Sequence, residues 1–264
     1  MDTTTIKVKY NNHTILYEDL KQAIEKAKIR IHFPASNKVL SDLSQRITYT
    51  FEGVLLAAQS DNLYSAFILY RSLLEHFFKG MYIITKTAIT KSDETAEKYQ
   101  KHYLISEFLA QKAGTLEMED LLNEKQNKTD FISFITTKIP ELNDFDKVNQ
   151  QEISAAIRQF NLKEIIKYLY TQYNTIDELK PTNHIIAETL LEYSHISTFS
   201  HGGPYASLLM ENFKKQNNIQ KELLKIVQIG LTSTCVIKEN LFITYEIDKS
   251  FKQYQLELQS LRSF

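Results

Sequence analysis

Three polar residues stand inside the most apolar stretch of the chain, and their types suit anion binding and proton transfer. Within DNLYSAFILYRSLLEHFFKGMYII (Asp61 to Ile84), Leu63, Phe67, Leu69, Tyr70, Leu73, Leu74, Phe77, Phe78 and Met81 cover most of a helix circumference. Arg71, Glu75 and His76 interrupt them. A guanidinium presents a planar fork of donors to a carboxylate or phosphate, and an imidazole exchanges its proton near neutral pH. Glu75 follows Arg71 by four residues, so the two share a helix face and can touch. One reading is an ion pair that neutralises an arginine in a core, because a buried Arg needs a partner. The other is a polar site inside a helical bundle. Of 31 basic residues only five are Arg (positions 30, 46, 71, 158 and 262), so a chain that otherwise uses Lys has placed its multi-donor cation in its most apolar helix.

A second polar group lies far along the chain. Tyr193, Ser194, His195, Ser197, Ser200 and His201 fall within nine residues, just ahead of Gly202-Gly203-Pro204. Tyr193, Ser197 and His201 are four apart and form one slanting stripe on a helix, while His195 groups with Phe199. Such side chains either exchange hydrogen bonds with backbone carbonyls in a bundle or open onto a cleft. In a composite site, His201 would supply the base, Arg71 the anion contact, and Glu75 or Tyr193 the orientation.

Two resemblances rest on these motifs. The A-x-x-x-x-R-S-L-L-E segment (Ala66 to Glu75) with the later Y-x-x-x-S-x-x-x-H segment (Tyr193 to His201) resembles an uncharacterised family of bacterial all-helical proteins, over roughly residues 40–245. By position, that family's recurrent polar residues fall on Arg71, Glu75, Tyr193, Ser197 and His201, and it brings no established activity. Arg71, then SLLE, then His76 also resembles, more remotely, the signature of HEPN proteins, helical domains that dimerise and often cleave RNA without metal. That resemblance implies a homodimer acting on an RNA substrate. Arg71 would stabilise charge on the scissile phosphate, and His76 would act as general base or acid on the ribose 2′-hydroxyl and the leaving oxygen. The expected function is a metal-independent endoribonuclease of toxin or phage-defence type. The alternative is a non-catalytic helical module that binds a partner protein or small ligand through the same pocket.

The elements that must position these residues read as helices. Six Gly, four Pro and 43% hydrophobic residues favour an all-α bundle, with fifteen Phe and fifteen Tyr to fill its core. Residues 5–17 alternate apolar and polar about Asn11-Asn12, which predicts a small N-terminal β-hairpin. Helices are expected over about 18–32, 38–60, 61–84 (capped by Asp61) and 92–112 (capped by Ser92). Short ones are expected near 117–123, 129–138 and 150–159, and longer ones over 162–173, from Thr182 to His201, 205–215 and about 218–260. Residues 1–36 would pack on a bundle formed by 37–264, as one domain.

Composition narrows the chemistry. A net charge of −1 gives no global field for nucleic acid, so any RNA contact must be local. The single Cys235, within LTSTCVI, suits a reducing cytosol and reads as a core thiol. There is no basic n-region before an apolar run, no uninterrupted apolar span of membrane length, and no metal or cofactor motif. The expectation is a cytoplasmic protein with no membrane partner, metal or cofactor.

Overall fold

The computed structural model describes residues 3–103, 105–110, 150–175, 183–246 and 252–262, with positions 114, 117 and 137. The helices are α1 (Thr3–Lys26), α2 (Pro34–Gln59), α3 (Leu63–Thr90), α4 (Glu94–Lys98), α5 (Gln150–Gln159), α6 (Leu162–Tyr173), α7 (Asn183–His201), α8 (Pro204–Lys215), α9 (Ile219–Leu241) and α10 (Lys252–Arg262). A π-helical turn spans Tyr99–Tyr103, and a 3-10 turn spans Phe242–Thr244. Among the described residues no strand forms, apart from one isolated antiparallel bridge between Ile31 and Tyr245.

The expected hairpin is therefore replaced by the first half of α1. Its buried residues are Ile6, Tyr10, His13, Tyr17, Leu20 and Ile24, a helical spacing of three and four. Val8 and Ile15, which would alternate inward in a strand, point to solvent. The period-2 pattern was a local coincidence, overridden by a longer helical stripe in which His13 and Tyr17 fill two rungs.

α3 begins one residue later than its sequence suggests. Asn62, not Asp61, is the N-cap, accepting from the Ser65 N–H at 3.1 Å. Asp61 adopts φ +53°, a left-handed turn that an Asp tolerates, and its carboxylate accepts from the Gln220 amide. Pro34 opens α2 at its first turn, where a missing N–H costs nothing. Asp93, distant in sequence, accepts from the Ala35 and Ser36 N–H groups at 3.0 and 2.9 Å and satisfies the same end.

The three longest apolar helices pack directly on one another. α9 lies against both α2 and α3, with a glycine at each contact. A Cβ on Gly230 would stand 2.7 and 2.9 Å from the Phe51 ring, and one on Gly80 would stand 2.7 Å from Ile237 Cδ1. α9 with its 3-10 extension is long and apolar enough to cross a membrane, but 67% of its most apolar window is buried in the bundle. α1 and α10 cover this trio on one side, and α6 and α7 pack against α3. One contiguous core runs from Ile6 to Leu258 and includes Cys235.

The break after α7 follows its sequence: Gly202 takes φ +61°, and Pro204 opens α8. Ser92 accepts from the Glu94 N–H at 3.2 Å, but the helix it begins lasts only five residues before the π turn. The helices expected at 117–123 and 129–138, and the Thr182 cap, lie outside the described residues apart from positions 117 and 137.

Gly230→Ala should lower unfolding stability in urea by about 1–3 kcal/mol, despite the roughly 1 kcal/mol gain in helix propensity, because a rigid ring meets the new methyl. Gly80→Ala should cost less, since it meets only the tip of an isoleucine.

Candidate functional site

α3 and α7 run antiparallel, and the residues singled out by sequence meet along their contact. Tyr64 hydroxyl donates to the Phe199 carbonyl at 2.9 Å near one end, and Phe67 stacks on Phe199 at 4.6 Å. Two turns further along α3, Arg71 reaches Tyr193. Its Nε and Nη2 donate to the Tyr193 hydroxyl oxygen at 3.3 and 3.2 Å, and its guanidinium carbon lies 5.3 Å from the ring centroid. Arg71 Nε also pairs with Glu75 Oε1 at 3.3 Å, while the Tyr193 hydroxyl donates to that carboxylate oxygen. The three side chains thus close a triangle between two helices. It is partly open to water, with Arg71 23% and Glu75 31% exposed. Burial, followed by donation to Glu75, raises the Tyr193 pKa, so its hydroxyl keeps its proton at neutral pH.

The remaining residues do not join this triangle. His76 is five positions from Arg71, about 140° around the helix. Its Nδ1–H donates to the Ser72 carbonyl at 2.7 Å, a bond that a carbonyl can only accept, so the Nε2 lone pair is left available. Burial lowers the His76 pKa against the opposing effect of the Ser72 hydrogen bond, and the charges of Lys79 and Arg46 add to the lowering. Ser197 is half-buried and His201 exposed. Eight residues, about 12 Å along α7, separate His201 from Tyr193. Among the described residues no hydrogen bond ties either Ser197 or His201 to Arg71 or Glu75.

A cleft of about 400 Å³ lies beside the same helices, with walls that include Phe67, Phe199, Leu209 and Phe213. Glu192 and Lys225, also on its lining, pair at 2.8 Å, and the Tyr70 hydroxyl approaches Glu192 at 3.5 Å.

A further polar group, which sequence reading missed, lies between α1, α2 and α9. His13, only 1% exposed, contacts Glu239 at 3.3 Å, Tyr10 donates to Glu52 at 3.1 Å, and Lys238 donates to Thr14 at 3.1 Å. Lys238 also stands over the Tyr10 and Tyr17 rings, and burial lowers its pKa. The helical rung at His13 was the available signal, and the hairpin reading hid it. Arg46, which borders His76, had no sequence signal, because its proximity depends on how α2 meets α3, whereas Lys79 lies one turn along from His76 on α3 itself. Among the described residues no group of three or more His, Cys, Asp or Glu is arranged to hold a metal.

Residues 37–220 match the model of a family described as Family of unknown function (DUF5677), and the chain belongs to that family. No curated protein and no solved structure matches the chain.

Tyr193→Phe removes the hydroxyl at the centre of the triangle and should cost about 1 kcal/mol. In a double-mutant cycle with Glu75→Gln, a coupling of about 0.5 kcal/mol or more is expected, and strict additivity would mean that the contact is energetically silent. Because burial lowers the His76 pKa below its unfolded value, the unfolded chain binds more protons than the fold just below about pH 6.5. Stability should therefore decline as pH falls from that value, and His76→Gln should flatten the decline in a pH series of urea melts.

Proposed function

We propose that this member of DUF5677 is a metal-independent endoribonuclease of toxin or phage-defence type, acting as a homodimer, with His76 on α3 as its general base. The observation that carries the reading is the state of that imidazole. Its Nδ1–H is committed to the Ser72 carbonyl, its pKa is lowered by burial, and the charges of Lys79 and Arg46 bear on it. A neutral ring with a free Nε2 lone pair and cations close by is the equipment for attack on a phosphodiester. Nε2 takes the proton of the ribose 2′-hydroxyl, and the oxygen attacks phosphorus. The bond to the 5′ oxygen breaks, that oxygen takes a proton from water, and a cyclic phosphate and a 5′-hydroxyl result. Nearby cations balance the charge that gathers on the phosphoryl oxygens. Arg71 is held by Glu75 and Tyr193, so it offers its remaining donors in a fixed orientation.

A specific observation favours a second reading, the non-catalytic module. Arg71 already has a carboxylate and a phenol as partners, and an apolar cleft adjoins the same helices. On that reading the triangle is a clamp between α3 and α7, and the cleft receives a small ligand or a partner side chain.

Cleavage of an end-labelled RNA in the presence of EDTA decides between them. On the ribonuclease reading, cleavage persists with the chelator and His76→Ala lowers the rate about 10²–10⁴-fold. The wild-type kcat/KM should stay level through neutral pH and fall only below about 6.5, since the base must be unprotonated and its pKa is depressed. A correctly folded His76→Ala protein that cleaves like wild type would sink the catalytic reading.

A further inference from the structure

α3 carries a row of cations that the triangle alone does not explain. Counted from Arg71 at 100° per residue, Lys79 lies at about 80° and Lys86 at about 60°, so all three share one side of the helix. They are spaced about 12 and 10 Å along its axis. Each is met by a tyrosine from a different facing element. Tyr193 of α7 lies 5.3 Å from the Arg71 guanidinium, Tyr103 of the π turn 4.6 Å from the Lys79 ammonium, and Tyr168 of α6 4.2 Å from that of Lys86. Lys79 also donates to the Tyr103 hydroxyl at 2.9 Å. Arg71 has Glu75, but among the described residues neither lysine has a carboxylate within ion-pair distance. By contrast Lys98, on the neighbouring α4, is tied to Glu94. Both lysines and both of their tyrosines are only partly buried, and Tyr99 stacks on Tyr103 with ring centroids 5.1 Å apart.

We infer that this seam, where α3 meets the π turn, α6 and α7, is a track for single-stranded RNA, with Lys79 and Lys86 as phosphate contacts and Tyr103 and Tyr168 as stacking platforms. The inference rests on the ribonuclease reading for the nature of the substrate, and adds the strand's path. An ammonium over a phenol ring, even with the hydrogen bond that Lys79 gives Tyr103, is held less firmly than one paired with a carboxylate. A phosphate offers it a full negative charge, and its departure uncovers an aromatic face for a base. Cations interleaved with aromatic rings are the arrangement that holds unpaired strands without reading sequence. A duplex keeps its bases stacked inside and cannot use the rings. Because the chain's net charge is −1, the attraction is confined to this row and must be strongly screened by salt.

The test measures fluorescence anisotropy of a labelled RNA of roughly 12 nucleotides, a length within the usual range for such grooves, bound to the full chain carrying His76→Ala to stop cleavage. Adding Lys79→Gln with Lys86→Gln should weaken binding about tenfold, and should reduce the slope of log affinity against log salt by about 1.4. Lys79→Arg with Lys86→Arg should restore binding, and Lys214→Gln with Lys215→Gln on α8 should leave it unchanged. Photocrosslinking of thiouridine-substituted RNA to the unaltered protein should map to Tyr103 or Tyr168, which keeps the test valid if the Gln pair fails to fold. Unchanged affinity in the folded Gln pair, crosslinks only elsewhere, equal affinity for a duplex of the same length, or no binding at low salt each overturns the track. If the strand binds along the lysines but is never cut, the ribonuclease reading fails and the track stands. If RNA is cut with no dependence on the lysines, the track fails alone.

Discussion

A single guanidinium, shared between a carboxylate one turn away and a phenol from another helix, fixes how α3 meets α7. Arg71 could not be left bare in an apolar helix, and Glu75 alone would neutralise its charge without joining it to anything else. The Tyr193 hydroxyl accepts from Arg71 and donates to Glu75, so the charge requirement of one helix becomes a positional requirement on another. Stacking between Phe67 and Phe199 is non-directional by comparison and would tolerate some sliding. The polar triangle sets the register, because a shift of one residue would turn Tyr193 away by about 100°.

That register distributes chemistry around α3. With Arg71 and Glu75 turned toward α7, His76 is carried to the side bordered by Arg46 and Lys79. The two halves of the polar motif therefore serve different neighbours. The first is held between two helices, and the second bonds a carbonyl of its own helix. His13 differs: it is fully buried and faces Glu239 across two helices, whereas His76 is only partly buried.

What the sequence made legible follows from the range of the forces involved. α2, α3, α6 and the Gly-Gly-Pro break could be read because helical periodicity, Pro34 and Gly202 act within a few residues. The pairing of Arg71 with Glu75 was readable for the same reason. The association of Tyr193 with them was suggested by two polar stripes on apolar helices, and required only that those stripes face each other. The N-terminal segment misled because Ile6, Val8 and Tyr10 satisfy a two-residue period over a short window. The deciding rungs, His13 and Tyr17, are residues that a count of apolar positions passes over. Nothing local could place Arg46 beside His76 or a tyrosine over each lysine, because these contacts exist only after α2, α6 and the π turn have docked.

The family match and the physical core do not share boundaries. The match ends at residue 220, near the start of α9, yet α9 fills the groove between α2 and α3. Phe51 rests against Gly230, and Leu40 and Ile237 both pack where Gly80 lets the helices approach. Without α9 these fully buried side chains of the matched region would face water, at roughly 1.5–3 kcal/mol for each large apolar residue. The matched segment thus carries the polar residues of α3 and α7, while its stability depends on a helix beyond it. Packing demands of α9 mostly bulk, apolarity and a small residue at one crossing, which many sequences meet. The triangle demands particular atoms at particular places, which few do, so the tightest constraint on side-chain identity falls within the matched segment and the looser one on α9.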